Sequence, residues 1–309
     1  MELTKGKEFV LWSVYCLLMN KRSDIMRSTL GVGPSRKMYR NLARRLVDEC
    51  RIYCISLFSG MQEPIFDAVK YLADIRDYES IPRLKQLFEN YTTGPKDRNR
   101  TFQWQGFSIT SISGPMDRLH AALQWQTTIT LLTLLPNGEA IEFVRGVFRD
   151  VPLRYLGIDT IIRLVDFSIK TSLNDLADFF LDQGKKMKAR FDRESDDWNS
   201  NRMSDHTRCF SYNDLYNYEE LVYGAYMLVS KQSVKEEALQ ILIGEYNHPD
   251  TGWTFSKRTH CGISHLLLKL IVRDLAGNPE EQNRIISALN PERYKQDLES
   301  YLKIGNHRI

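Results

Sequence analysis

The sequence contains few residues that break helices and few cysteines. Its 309 residues include 10 Pro and 17 Gly, which is too few for a disordered chain or for a turn-rich β-sandwich. The five cysteines are an odd number, and no two have the CxxC spacing of a zinc finger. We therefore expect reduced thiols and a cytoplasmic protein.

Sequence templates of catalysis and of cofactor binding are also lacking. There is no Gly-x-Ser-x-Gly elbow, Walker loop, dinucleotide fingerprint or His-Glu-x-x-His pair. Metal ligands could come from His206 and Cys209, or from His260, Cys261 and His265, but neither spacing matches a standard template. The sequence predicts no catalytic residue, metal or cofactor. It leaves open whether the chain is an enzyme, and it favours a non-enzyme.

No apolar run is long enough to cross a bilayer. The run 9–19 follows Lys5 and Lys7, as the apolar region of a signal peptide would, but the segment 20–24 after it is polar and is no small-residue cleavage site. We expect 9–19 to lie in a buried first helix, and we expect no membrane contact.

The most regular pattern lies at 64–90, which reads as two antiparallel helices. Apolar residues recur there every three or four positions, so each helix has one apolar face. Ser80 is the expected N-cap of the second helix, and Pro82 lies in its first turn, where a missing N–H costs nothing. Neither face can be buried within the unit alone, so the pattern predicts further hairpins packed beside it.

Similar helical hairpins recur along the chain. The expected all-α fold is one irregular array of antiparallel hairpins, an α-solenoid over 1–309. It starts with a basic N-terminal cap over 1–60, including a helix over 35–58, and ends with a cap over 291–309. The hairpins lie at 64–90, 118–150, 155–188, 214–246 and 261–289, with inserts at 91–115 and 189–213.

Strand signals are weak except in the first insert. Apolar residues alternate over 101–113, which predicts a small β-hairpin there. The second insert is rich in carboxylates, which could act as an acid and a base or hold a cation, but it lacks the spacing of a calcium loop. We expect the second insert to be a solvated linker.

One segment resembles a known repeat. The sequence YLADIRD at 71–77 followed by SIPRLKQLF at 80–88 is similar to a HEAT repeat, whose leucine-and-aspartate turn precedes a proline at the start of the second helix. The resemblance covers about 25 residues of the chain, and the other hairpins lack this turn. It implies a HEAT/armadillo-like fold and a habit of binding macromolecules, but no particular activity.

Basic residues are concentrated before the first of these hairpins. Between positions 21 and 51 nine Lys and Arg stand against three acids, a net +6 where the whole chain is +3. Arg36, Arg40 and Arg44 recur every four residues beside Lys37, so they form one helical stripe. The stripe could bind phosphates or an acidic partner. Alternatively it is a solvated helix face, paired with acids of a neighbouring repeat.

Further candidate contact residues lie on loops and on the second helices of the hairpins. Basic and aromatic residues interleaved on a loop can stack bases or clamp a peptide, or fold back over the array. Second helices line the concave face of a solenoid, and mixed charge there suits a protein partner. The loop candidates are Arg98, Arg100, Trp104, Trp253 and Arg258, and the concave-face candidates are Arg83, Glu142, Arg145 and Arg149.

Three functional hypotheses follow. The favoured one is a non-enzymatic scaffold that binds a protein or peptide on its concave face. The second is a DNA- or RNA-binding protein that uses the Arg stripe. Some HEAT-like solenoids are glycosylases of alkylated DNA, with a Trp and an Asp near the lesion, and Asp197-Trp198 is the nearest match. The third is a small-ligand enzyme, which needs an enclosed pocket. Oligomeric state does not follow from the sequence.

The Arg stripe hypothesis predicts salt-sensitive binding of DNA. If the stripe is a phosphate footprint, the affinity for duplex and single-stranded DNA falls steeply with added salt, and Arg36→Glu/Arg40→Glu/Arg44→Glu abolishes binding. The measurement is a fluorescence-anisotropy titration across a salt series. Absence of binding even at low salt would rule out the nucleic-acid hypothesis.

Overall fold

The computed structural model describes residues 36–50, 52–57, 60–62, 64–92, 100–104, 107–112, 118–199, 217–247 and 263–305. Most of these residues are helical, so the helical class predicted from the sequence is confirmed at this coarse level. Within these ranges no helix combines the length and the apolar character needed to cross a membrane. The expected helix over 9–19 lies outside the described residues.

The chain divides into two compact units, Met1–Arg163 and Leu164–Ile309. The boundary lies within a helix, Ile158–Lys170, and so inside the 155–188 hairpin. It coincides with none of the boundaries that the sequence predicts. A single α-solenoid domain over 1–309 therefore stays a prediction, and each unit is described by itself.

The first unit contains five complete helices and the beginning of a sixth in its described part. They are α1 (Arg36–Glu49), α2 (Pro64–Asp74), α3 (Ile81–Thr92), α4 (Arg118–Leu134), α5 (Asn137–Asp150) and α6 (Ile158–Lys170). Helices therefore occupy the spans of the first two predicted hairpins, α2 and α3 at 64–90 and α4 and α5 at 118–150, and their pairing as hairpins stays a prediction. Ile65, Val69 and Leu84 are fully buried, as the apolar periodicity predicts.

The prediction of one helix over 35–58 is wrong, because α1 ends at Glu49. Cys50 follows it in a left-handed conformation with a φ of 50°, and its carbonyl accepts a hydrogen bond of 3.0 Å from the Tyr91 hydroxyl of α3. The next residues form a strand, β1 (Ile52–Leu57). Ile52, Tyr53 and Ile55 are β-branched or aromatic, which favours strand over helix.

The strands form a four-stranded antiparallel sheet in the order β2-β1-β4-β3. Besides β1 its members are β2 (Gly60–Gln62), β3 (Arg100–Trp104) and β4 (Phe107–Ile112). The predicted hairpin over 101–113 is confirmed as β3–β4. The sequence analysis missed β2 and the pairing of β1 with β4, in which Ile55 lies opposite Ile109.

A buried amide ties three segments of the first unit together. Gln124 of α4 donates hydrogen bonds to the carbonyls of Tyr91 (2.7 Å) and Tyr155 (2.9 Å), and its oxygen accepts from the Gly157 amide (3.0 Å). A Cβ at Gly157 would lie 2.9 Å from the Ala121 Cβ. Only glycine therefore fits where this loop meets α4.

The second unit contains the rest of α6 and six further helices in its described part. They are α7 (Ala177–Asn199), α8 (217–227), α9 (Gln232–Asn247), α10 (Ile263–Lys269), α11 (Pro279–Ala288) and α12 (Pro291–Gly305). α10 continues into one π-helical turn, Leu270–Asp274. Asn278 caps α11 by accepting a hydrogen bond from the Glu281 amide, and Asn290 accepts likewise from the Arg293 amide at the start of α12.

Two expectations about helix starts and inserts are corrected. Ser80 does not cap α3 through a backbone amide; it lies in a 3₁₀ turn, Tyr78–Ser80, and its hydroxyl donates to Asp77. The second insert is not a linker throughout, because α7 continues to Asn199. Residues 189–199 are therefore helical, with Asp197-Trp198 near the end of α7, and 200–216 lie outside the described residues.

Buried tyrosines hold the second unit together through hydrogen bonds to carboxylates. Their rings lie in the core, and each hydroxyl donates to an acid on another element. The pairs are Tyr218 with Glu245 (3.2 Å), Tyr223 with Asp274 (2.5 Å), Tyr226 with Glu281 (2.9 Å) and Tyr246 with Asp297 (3.0 Å). Burial and the neighbouring carboxylates raise the pKa of all four hydroxyls, so they remain donors at neutral pH.

Substitution by alanine is expected to have opposite effects on stability at two glycines of the second unit. A Cβ at Gly224 of α8 would lie 2.7 Å from the Val165 Cγ1 and 3.0 Å from the Phe180 Cδ2, whereas a Cβ at Gly244 of α9 meets nothing within 4 Å. Gly224→Ala should lower the free energy of unfolding by about 1–3 kcal/mol through overpacking. Gly244→Ala, the matched control, should raise it by about 0.5–1 kcal/mol. Urea denaturation measures both, and equal effects would contradict this packing.

Candidate functional site

The turn between α2 and α3 is held by a buried carboxylate. Asp77 is 6% exposed, and Arg44 of α1 binds it through two hydrogen bonds, Nε to Oδ2 at 2.6 Å and Nη2 to Oδ1 at 2.5 Å. The Ser80 hydroxyl donates to Oδ2 at 2.5 Å. Arg44 Nη2 also lies 2.7 Å from the Glu79 carboxylate. This bidentate geometry joins α1 to the turn and fixes the orientation of both.

The protonation of this pair follows from its contacts. Burial acts to raise the pKa of Asp77, but the hydrogen bonds from Arg44 and Ser80 outweigh it and leave the pKa below its usual value. The hydrogen bond to Asp77 raises the pKa of Arg44. Both groups are therefore charged at neutral pH, and they form an ion pair in which Asp77 is buried and Arg44 is half-buried.

Backbone hydrogen bonds add to the rigidity of the turn. The Asp77 amide donates to the Leu72 carbonyl at 2.9 Å and the Ser80 amide to the Asp77 carbonyl at 2.9 Å. Arg76 adopts a left-handed conformation with a φ of 53°. Such a conformation costs energy in a residue other than glycine, so it persists because the surrounding bonds impose it.

An exposed apolar and basic surface lies on this fixed turn. Tyr78 is 57% exposed and Ile75 is 37% exposed, and the exposed Arg76 lies between them in the chain. Arg40 of α1, also exposed, is close enough to help lower the pKa of Asp77. We call Arg40, Ile75, Arg76 and Tyr78 the turn surface.

The structure separates the members of the predicted Arg stripe. Arg44 forms an ion pair with Asp77. This agrees with the alternative interpretation of the stripe, in which its charges pair with acids of a neighbouring repeat. Lys37 and Arg40 are exposed. Arg36 is the first residue of α1, and its side chain is outside the described part. A charge-reversal test of the stripe should therefore spare Arg44, because its loss would also disrupt the fold.

The predicted concave-face residues form surface ion pairs. Arg83 of α3 lies 2.8 Å from Asp48 of α1, which gives α1 a second tie to this hairpin. Arg145 pairs with Glu142 at 3.1 Å along α5, and Arg149 pairs with Asp150 at 2.8 Å. Exposed pairs of this kind contribute little to stability, so these residues stay candidates for contacts with a partner.

The predicted loop contacts lie mostly outside the described residues. This holds for Arg98, Trp253 and Arg258, and also for the metal candidates His206, Cys209, His260 and Cys261. Arg100 and Trp104 are the first and last residues of β3, an edge strand of the sheet. Among the residues that the structure describes, no group of three or more His, Cys, Asp or Glu could hold a metal ion.

Sequence reasoning missed a cluster of charged groups in the second unit. Glu220 of α8 is 4% exposed, and among the described residues its Oε1 has no hydrogen-bond partner. Burial raises the pKa of Glu220 to about 7, against the opposing effect of Lys269. The Lys269 ammonium lies 3.7 Å from Asp166 and 4.4 Å from the centre of the Tyr223 ring. In the sequence, this cluster could have been suspected from the Glu pair at 219–220, which interrupts the otherwise mostly apolar helix α8.

Comparison with protein-family models, with curated proteins and with solved structures finds no match to this chain. The similarity of 64–90 to a HEAT repeat therefore stays a prediction, and the case for function depends on the residues described above.

The ion pair at the turn predicts a pH-dependent loss of stability. Asp77→Asn removes the charge that compensates Arg44, and we expect it to lower the free energy of unfolding at pH 7 by about 2–3 kcal/mol. Because the folded pKa of Asp77 is lowered, this contribution is complete above the unfolded value of about 3.9 and is lost as the pH falls through the folded value.

The measurement is urea denaturation of wild type and Asp77→Asn between pH 7 and pH 2. The difference between the two proteins should shrink as the pH falls below about 4. Asp74→Asn, an exposed acid of the same turn, is the control and should change stability by less than about 0.5 kcal/mol. A difference between wild type and Asp77→Asn that is independent of pH would contradict the ion pair.

Proposed function

We propose that this chain is a macromolecular interaction module that binds a protein or peptide segment at the turn surface. The observation that carries the proposal is the exposure of both Tyr78 and Ile75 on one short turn that Arg44 and Asp77 hold in place. The other large exposed apolar side chains, such as Val229 and Leu302, are separated from this turn in the sequence, and scattered single residues of this kind are ordinary.

The composition of the turn surface suits a binding hot spot. Tyr and Arg are the residues most enriched among side chains that dominate binding energy, because they combine apolar area with directed hydrogen bonds. The turn is already ordered by the Asp77 contacts, so a partner does not have to order it on binding. Affinity therefore loses less to conformational entropy.

The charges around the turn favour a partner with acidic and apolar residues. Arg40 and Arg76 are exposed basic groups of the turn surface, and Lys37 is exposed on the same helix as Arg40. Asp74 and Glu79 are exposed acids of the same turn. A duplex or single strand of nucleic acid needs a uniformly basic track, and this mixed surface offers none within the described residues.

Nucleic-acid binding is the second candidate, supported by the exposure of Lys37 and Arg40 on α1. It is weaker than the sequence alone suggested, because Arg44 is paired with Asp77 and Glu79 and so contributes less charge to an outside phosphate. The glycosylase alternative has no further support, since the Asp197 and Trp198 side chains lie outside the described part.

A selection from a random peptide library on the immobilised full chain tests the proposal. We expect enrichment of peptides that combine acidic and apolar residues, and we expect Tyr78→Ala to weaken the enriched peptides about 30-fold, the loss typical of a hot-spot residue. Val229→Ala, which truncates a side chain that is 78% exposed on the second unit, is the matched control and should bind like wild type.

Two outcomes would contradict the proposal. One is enriched peptides that bind Tyr78→Ala as tightly as wild type, which would place the site elsewhere. The other is no enrichment at all together with salt-sensitive DNA binding that is lost in Lys37→Glu/Arg40→Glu, which would favour the nucleic-acid candidate.

A further inference from the structure

The charges that surround the buried Glu220 of α8 do not balance when every acid is ionised. Three carboxylates, those of Asp166, Glu220 and Asp274, meet two cations, Lys269 and Arg273. Each cation already has a carboxylate partner. Lys269 lies 3.7 Å from Asp166, and Arg273 Nε lies 2.7 Å from Asp274. The third carboxyl, that of Glu220, is therefore the one without a cation of its own.

The surroundings of Glu220 explain why its proton matters. α6 presents Asp166 to it, and α10 with its π-helical turn presents Lys269 and Arg273. Tyr223, one turn along α8, directs its hydroxyl to Asp274 and its ring towards Lys269. α7 meets α8 through Phe180 and Gly184, which do not titrate, and its Asp192 acts on Tyr218. Burial raises the pKa of Glu220 by more than Lys269 and Arg273 together lower it, and no described group donates a hydrogen bond to its Oε1.

We propose that Glu220 is a pH-sensitive switch in the second unit. When its carboxyl is protonated, the cluster contains two acids and two bases and is neutral. When it ionises, an uncompensated negative charge is buried between α8 and the π-helical turn, and the contact between these two elements loosens. A buried charge without a partner is strongly destabilising, so the two protonation states favour different degrees of packing.

The sign of the pH effect follows from the same cause. Burial raises the folded pKa of Glu220 to about 7, above its ordinary value of 4.5. The folded protein therefore binds this proton more tightly than the unfolded chain does. The resulting stability is complete below the unfolded pKa and is lost as the pH rises through the folded pKa.

Thermal unfolding of the full chain between pH 5 and pH 8.5 tests the switch. Wild type should lose roughly 5 °C in the midpoint of unfolding as the pH rises through about 7. Glu220→Gln, which keeps the shape and cannot ionise, should lack this loss and should melt above wild type at pH 8. Glu237→Gln on α9 is the control, because Glu237 is an exposed acid paired with Lys185 at the surface, and it should retain the slope of wild type.

A second measurement needs no variant. Hydrogen exchange of the wild-type amides over 217–227 and 270–274, corrected for the intrinsic effect of pH, should show less protection at pH 8 than at pH 5.5. Equal protection at the two pH values would overturn the proposal. A Glu220→Gln protein that keeps the full slope of wild type would overturn it as well.

Discussion

The bidentate contact between Arg44 and Asp77 is the interaction on which the described hairpin of the first unit depends. It joins α1 to the turn between α2 and α3 across 33 residues of sequence. Ser80 also donates a hydrogen bond to Asp77, and Glu79 forms an ion pair with Arg44. A half-buried arginine and a buried aspartate are costly to desolvate, and the three hydrogen bonds that the carboxylate accepts from Arg44 and Ser80 offset that cost. The turn is consequently rigid, and it exposes Tyr78 in a defined position.

The second unit uses a different arrangement of polar groups in its core. Tyrosine rings fill apolar space while their hydroxyls reach carboxylates on neighbouring elements, and several of those carboxylates are themselves paired with arginine. Arg284, for example, lies 2.8 Å from Glu281, the acceptor of Tyr226. In such an arrangement the carboxylate accepts a hydrogen bond from the tyrosine and also pairs with the arginine. Glu220 is the exception among them, because its Oε1 has no hydrogen-bond partner in the described part.

Local sequence signals predicted the helices well where packing and capping agree. The apolar periodicity of 64–90 predicted α2 and α3, and Asn-Pro pairs at 278–279 and 290–291 mark the starts of α11 and α12. β1 was missed, because its pairing with β4 joins residues more than fifty positions apart and no local period encodes such a pairing. The alternation of apolar residues over 101–113 predicted only the pairing of β3 with β4, which are neighbours in the sequence.

The candidate site was less predictable for a related reason. The basic residues of α1 were visible as a stripe, but the acid that binds Arg44 lies on another segment, so the division into a half-buried Arg44 and the exposed Lys37 and Arg40 depends on tertiary structure. The charge cluster of Glu220 combines side chains from α6, α8 and α10. Only the Glu pair within the apolar sequence of α8 hinted at it.

The most direct test of the account is a double-mutant cycle over Arg44 and Asp77. The free energy of unfolding would be measured at pH 7 for wild type, Arg44→Met, Asp77→Asn and the double variant. The account predicts a coupling energy of about 1.5–3 kcal/mol, because each single variant leaves a charge unpaired at the turn. A coupling energy below about 0.5 kcal/mol would contradict the claim that this ion pair fixes the turn.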